Sequence, residues 1–538
     1  MRLKFSAVLY CLFCFLFFNS CIPQPEKGTT VKSSAAKKTF NVQEATIADI
    51  HEAFQTGTCS CEQLVTAYLN RIKAFDQPTR LNAIVVTNPE ALARARELDQ
   101  EYAQTKQLRK LHCIPVIVKD NYNTKGLQTT AGSLALKGFA PSEDAYQVKA
   151  LKDAGAIVLG KSNMAEWAFS PMVTISSIAG ETLNPYNLDH VPAGSSGGTA
   201  AAVAANLGTV GLGTDTGNSI RGPSSHNALV GFRSTLGLTS RSGIAPLNLR
   251  NDVGGPMART VADATKLLEV IAGYDPNDLL TKYSEGKVPE NYRQFLDKDG
   301  LKGARIGVFR TLSEKNPDPQ VKALFEQAIE DLRRLGAVVV DSVEVENFES
   351  LSKDQLCSMF KQDINQYLFS LGDGVPVSSL EEVIASGKYA PYIKEILEDE
   401  YEQAEHFDEA THACGDAYTD PKRIAFRNAV VAAMDKHEVD AIIYPTWNNP
   451  PARVGDFKGY KGDNSQVIAP HTGQPAFTIP MGYTYENLPA GLQFLGRMFD
   501  EPTLIKLTYS YEQGTRHRKP PFLFYGDTPK SAKNIKIK

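Results

Sequence analysis

Apolar positions recur along this chain with two alternating periods, and that alternation predicts its architecture. Ser60 and Gln63 form a capping box. The apolar residues behind them, Leu64, Ala67, Tyr68, Ile72 and Phe75, fall on one face of a helix. The apolar run 114–118 reads as a buried strand. A helix over 145–154 is closed by Gly155, which tolerates the positive φ of a helix C-terminus, and leads into a strand over 156–160. Thr260 and Asp263 open a helix over 260–272 that Gly273 closes, and strand 305–309, helix 319–335, Gly336 and strand 338–340 repeat the same order. Strands alternating with helices in this way predict an α/β domain whose helices cover a mostly parallel sheet. No Pro- or Ser-rich linker divides residues 42–520, so they read as a single domain with 521–538 as a C-terminal tail.

The first forty residues break the pattern. Arg2 and Lys4 precede an apolar run at 7–18, and Asn19, Ser20 and Cys21 follow it. A basic start, a short apolar core and a small residue before a cleavage point describe a secretory signal over 1–21. The run is too short for an ordinary membrane-spanning helix, which needs ~20 residues. The sequence Phe-Asn-Ser-Cys resembles a bacterial lipobox, which makes Cys21 the expected lipidation site; a plain cleaved signal is the alternative. Residues 22–41, polar and rich in Pro, Ser, Thr and Lys, read as a flexible tether. The expected location is the cell envelope or periplasm.

Composition narrows the chemistry. A net charge of -4 gives no electrostatic reason for a nucleic-acid partner. The nine histidines are scattered, with His471 reading as a loop or packing residue, so no metal site and no cofactor are expected. Beyond the signal, Cys59, Cys61, Cys113, Cys357 and Cys414 make an odd number, which excludes complete internal pairing. All five read as structural, with no pairing assignable.

The stretch 193–222, AGSSGGTAAAVAANLGTVGLGTDTGNSIRG, is built almost wholly of small residues. Such a segment lets backbones approach closely and leaves peptide N–H groups uncovered. It is either a tightly packed helix between glycine turns or an oxyanion cradle beside a nucleophile. A phosphate loop would need a Lys after its second glycine, and a dinucleotide fingerprint would need Gly-x-Gly-x-x-Gly after a strand; this segment has neither.

Three separated pieces then resemble the amidase signature family, whose mark is a Ser–Ser–Lys triad: CIPVIVKDNYNT (113–124), AGSSGG (193–198) and GLGTDTGNSIRGP (211–223). The resemblance extends from about residue 44 to 515 and includes GAIVLGKSNMAEW (155–167), GPMARTVADA (255–264) and HTGQPAFTIPMG (471–482). It implies an α/β/α sandwich around a large mixed, mostly parallel twisted sheet. It also implies Ser219 as nucleophile, Ser195 as bridging serine after a cis peptide bond, and Lys119 as base, 76 and 24 residues apart in chain order. The backbone N–H groups of Thr216, Gly217, Asn218 and Ser219 would hold the oxyanion, and Asp215 and Arg221 would form a supporting network or an ordinary salt bridge. Ser196 and Thr214 read as structural hydrogen-bonders.

The chemistry stands on its own terms. A serine hydroxyl needs a neighbouring base, and no histidine sits in a Gly-x-Ser-x-Gly elbow to supply one. Lysine serves only when neutral, and its ordinary pKa of ~10.4 leaves well under 1% neutral at pH 7. Burial lowers that value, and lowering it by about 3 units costs ~4 kcal/mol. The small residues around 195–219 and the apolar strand before Lys119 favour such burial, while Asp120 and Asp215 would oppose it if close. Two positions depart from the family. Asn218 stands where Gly is usual; because Asn tolerates positive φ, the loop should survive, narrowed by the side chain. Cys113 also replaces a common Gly and reads as packing rather than as an altered pocket wall.

The expected activity is hydrolysis of a small or peptide-like amide through an acyl-enzyme. The competing readings are an esterase or peptide-amidase variant, a non-catalytic ligand-binding lipoprotein, and the glutamine-hydrolysing component of a tRNA-dependent amidotransferase. Met359, Phe360, Tyr367, Phe369, Tyr389, Tyr392, Tyr444 and Trp447 either line an acyl pocket or fill a helical core.

Overall fold

A computed structural model describes residues 40–355, 357–405 and 414–529. The signal with Cys21, the tether as far as residue 39 and the last nine residues lie outside the described residues.

Thirteen strands follow in chain order among the described residues: β1 Ile84–Thr87, β2 Pro115–Lys119, β3 Ile157–Ser162, β4 Ile175–Ser176, β5 Gly180–Glu181, β6 Val210–Asp215, β7 Val230–Arg233, β8 Val253–Ala258, β9 Arg305–Val308, β10 Val338–Asp341, β11 Ala441–Pro445, β12 Ala476–Tyr483 and β13 Pro489–Leu495. Apart from the β4–β5 hairpin, they form one eleven-stranded sheet in the order β1-β3-β2-β6-β8-β7-β12-β13-β11-β9-β10. The predicted α/β fold and mixed sheet are there. Parallel pairs occur where the sequence alternates strand and helix, in β3-β2-β6 and β11-β9-β10, while the span from β6 to β11 is antiparallel throughout. Apolar alternation located the strands, but it carries no information on the direction in which distant ones meet.

The local predictions hold to within a residue or two at their ends. The Ser60 capping box opens the helix Cys61–Phe75, and the helices Tyr146–Asp153, Val261–Ile271 and Pro319–Arg334 stand where their patterns put them. Every residue of the small-residue helix Gly197–Ala204 is buried. A Cβ at Gly198 would collide with the Asn163 backbone, so only glycine lets this helix sit so close to its neighbour.

Four of the five cysteines are paired. Cys61 joins Cys113 and Cys357 joins Cys414, with Cα–Cα distances of 5.7 and 5.8 Å, leaving Cys59 free among the described residues. Cys113 is therefore more than a packed small residue: it ties the start of β2 to a helix. Its φ of 59° explains why glycine suits that position.

Candidate active site

The ends of β2 and β6 lie side by side, with Val118 opposite Leu212, so Lys119, the last residue of β2, and Thr214, near the end of β6, are brought together. Lys119 is fully buried, and its Nζ donates to Ser195 Oγ and to Thr214 Oγ1, each at 2.7 Å. Burial holds the ammonium down to about 7, against the opposing pull of Asp252 and Asp215. An amine with that value is partly neutral at neutral pH, which is what proton abstraction requires. Thr214, expected to be merely structural, touches the amine directly and also accepts from Asn121 Nδ2 at 3.1 Å. Asp120 is not among the charges acting on Lys119; its carboxylate accepts from Thr130 and pairs with the buried Lys161 at 3.5 Å.

Ser195 follows a cis Gly194–Ser195 peptide. The flanking backbone is tied down, with Ala165 N–H donating to the Ser195 carbonyl at 3.0 Å and Gly194 N–H to Pro171 O at 2.8 Å. Ser196 donates to Thr214 O at 3.2 Å and accepts from Thr214 N–H at 3.3 Å, fastening the Gly/Ser segment to β6.

Between β6 and the helix Arg221–His226 runs the loop 216–220. Asp215 collects the N–H groups of Ile220 and Arg221 at 3.2 and 3.4 Å. The N–H groups of Thr216, Gly217, Asn218 and Ser219 donate to no protein acceptor among the described residues. A row of uncovered donors beside a serine is the geometry that stabilises an oxyanion. Arg221 braces the loop by donating to Gly217 O at 2.7 Å, and Gln493 and Ser465 O take its other nitrogen at 3.0 and 2.8 Å. Asp215 is shared between two fully buried guanidiniums, Arg221 at 3.0 Å and Arg233 at 2.9 Å. These cations hold its carboxyl at about 2 although burial alone would raise it. So the Asp215–Arg221 pair is a network rather than a lone salt bridge.

Ser219 makes its hydrogen bond to the neighbouring Asn218 Oδ1 at 3.2 Å, not to Ser195. The Asn218 backbone is not in the left-handed region, so the tolerance for positive φ expected there is not used. The side chain is accommodated by space instead. Asn218 Nδ2 donates to Pro171 O at 3.1 Å and lies 2.7 Å from where a Cβ on Gly222 would stand.

Sequence reasoning missed Arg233, Asp252 and Gln466. An arginine ending the apolar run VGFR (230–233) was the available signal for the first, because a charge inside a buried strand demands a partner. Gln466, whose Oε1 is 2.8 Å from the position a Gly217 Cβ would take, carried no such signal. Of the aromatic residues weighed above, Phe360 and Tyr367 are buried in a core with Trp167, Tyr444 lies in β11 and Phe369 is 85% exposed. Trp447 reaches the helix that follows the loop: its ring lies tilted against His226, with centroids 4.5 Å apart, and 3.1 Å from the would-be Gly222 Cβ. His471 is a buried packing residue, with burial pushing its imidazole down to about 3.

A buried, partly neutral lysine bound to one serine, near a second serine on a loop of free N–H groups, defines a serine hydrolase site without histidine. The family model described as Amidase matches residues 63–505. A probable amidase of Arabidopsis thaliana is 38% identical over 505 residues, covering 90% of this chain and 92% of its own. One component of the glutamyl-tRNA(Gln) amidotransferase of Gloeothece citriformis is 32% identical, covering 89% of this chain and 99% of its own. The native peptide amidase of Stenotrophomonas maltophilia has a similar solved structure, with a TM-score of 0.79 and 38% identity, covering 89% of this chain and 98% of that one. The chain belongs to the amidase signature family. It is an amidase, a hydrolase of carbon–nitrogen amide bonds.

Proposed function

We propose that this amidase works through an acyl-enzyme on Ser219, with Ser195 and Lys119 relaying the proton, on small or peptide-like amides. Rotation of the Ser219 hydroxyl from Asn218 toward Ser195 starts the sequence. Lys119, neutral, takes the Ser195 proton while Ser195 takes that of Ser219, and Ser219 Oγ bonds to the carbonyl carbon. The carbonyl electron pair moves to oxygen, facing the free N–H groups of Thr216, Gly217, Asn218 and Ser219. Collapse breaks the C–N bond, and the relay returns the proton to the leaving nitrogen. Water, deprotonated by the same relay, then releases the carboxylic acid and restores Ser219. The observation that carries this reading is the Lys119 amine, fully buried, brought down to about 7 and bonded to Ser195.

The peptide amidase relative supports a peptide-like substrate, and Trp447, packed against the helix that follows the Ser219 loop, supports a bulky acyl group. Ammonia release from a panel running from acetamide through glutamine to amidated peptides tests both. Release that vanishes in Ser219→Ala is expected, with amidated peptides ahead of acetamide. A folded wild type that releases nothing from the panel would overturn the assignment, and equal turnover of acetamide and large amides would overturn the acyl preference.

Export to the cell envelope, with Cys21 as the lipid-bearing residue, is part of the same proposal. The two disulfides support it, because such bonds persist in oxidising compartments. Detergent-phase partition of the wild type that Cys21→Ser abolishes is the expected result.

A further inference from the structure

The Lys119 site contains a carboxylate that the relay does not use. In the β6–β8 ladder, Asp215 faces Val253 and Thr214 faces Gly254, so Asp252 is delivered beside Thr216. Its Oδ1 accepts from Thr216 Oγ1 at 2.5 Å, and its Oδ2 accepts from Leu247 N–H and Asn248 N–H at 2.9 and 3.0 Å. Three donors on two oxygens suit an ionised carboxylate. Asp252 shares the lining of a small cavity with Thr214, Thr216 and Asn121, and Thr214 is the residue that holds the Lys119 amine.

The charges around the pair can be sorted. Lys119 faces Asp215 and Asp252; Asp215 is already shared by Arg221 and Arg233, and Asp120 is paired with Lys161. Of the cations and anions near Asp252, Arg241 is bound to Asp278 at 2.5 Å, Asp363 is bound to Arg250, and Arg233 is bound to Asp215. Asp252 itself has no ion pair within 4 Å among the described residues. It is therefore the carboxylate acting on the amine that has no close ion-pair partner of its own among the described residues.

We propose that Asp252 is a positioning residue with two targets: its negative charge sets how readily Lys119 holds a proton, and its hydrogen bond anchors Thr216 at the start of the oxyanion loop. This rests on Lys119 being the base. In keeping with it, Asp252 is the first of the charges that raise the Lys119 value against burial. Burial pushes the Asp252 carboxyl itself up, and Thr216 and the two amides pull it back.

The test is the pH dependence of kcat/KM on an amidated peptide, from about pH 5 to pH 9, together with that of Ser219 labelling by a fluorophosphonate. A neutral base is needed, so activity rises with pH through the Lys119 titration. Removing a negative charge makes the ammonium less stable, so Asp252→Asn moves this acid limb down by about one pH unit. Activity at pH 6, relative to the plateau, then rises about five-fold, while the plateau falls because the amide, with one acceptor oxygen, cannot hold both Thr216 and the Leu247 and Asn248 N–H groups. Thr216→Val keeps the carboxylate, so the plateau falls and the limb stays. A folded Asp252→Asn protein whose limb stays or moves up overturns the proposal. Should that variant not fold, Asp252→Glu keeps the charge and must keep the limb; a limb that moves overturns it equally. Labelling that survives in Ser219→Ala would instead strike at the nucleophile assignment, a separate failure.

Discussion

Replacing Lys119 by Met should yield a protein that is inactive yet more stable than the wild type near neutral pH. The folded lysine titrates at about 7 against an ordinary 10.5, because burial strips water from the ammonium. Between those values the unfolded chain holds a proton that the folded one lacks. Wild-type stability therefore rises with pH across this window, by about 1.4 kcal/mol per pH unit, and below about pH 7 the full penalty of roughly 5 kcal/mol applies. Methionine has no such titration and a similar volume. It forfeits the hydrogen bonds to Ser195 and Thr214, at about 1 kcal/mol each, a loss that does not depend on pH. The variant should then lead by about 2–3 kcal/mol at pH 7, and the two proteins should draw level near pH 9. Urea unfolding at both pH values, followed by tryptophan fluorescence, measures the difference, and ammonia release confirms the loss of activity. A stability difference that is the same at both pH values would show that the Lys119 amine is not depressed, and the account of how it becomes a base would fall with it.

Two further changes test the frame around the site. Arg221→Ala leaves Asp215 with Arg233 alone and frees the Gly217 carbonyl, so it should cost about 3–5 kcal/mol in thermal unfolding. Arg221→Lys should not rescue it, since an ammonium lacks the planar fork that meets Asp215, Gly217 and Gln493 together. Replacing Cys357 and Cys414 by Ser opens a loop of 57 residues and should lower stability by up to about 4 kcal/mol. It should also reduce kcat, because the Cys357 carbonyl accepts from Asn248 Nδ2 at 3.0 Å and Asn248 N–H binds Asp252. Thermal unfolding with and without reductant, beside ammonia release, checks both effects.

Local physics made a large part of this protein legible from its sequence. Ser60 with Gln63, Thr260 with Asp263, and the closing glycines mark helix ends because capping and positive φ are decided within a few residues. The motifs around Lys119, Ser195 and Ser219 were legible because three separated pieces of the chain resemble those of the amidase signature family. A closely packed helix was one of the two readings open for the small-residue stretch, and Gly197–Ala204 is that helix.

What the tertiary structure decided were relations between distant segments. The antiparallel centre of the sheet, the pairing of Cys61 with Cys113 and Cys357 with Cys414, and the sharing of Asp215 by Arg221 and Arg233 all depend on how the chain returns on itself. No periodicity records that path. The same holds for the electrostatics: Asp120, adjacent to Lys119 in sequence, is turned to Lys161, whereas Asp252, 133 positions further on, is brought to the amine by the β6–β8 ladder. Neighbouring residues on a strand point to opposite faces, whereas charge acts through space. The sequence therefore named the lysine, and the fold chose which carboxylate would oppose its burial.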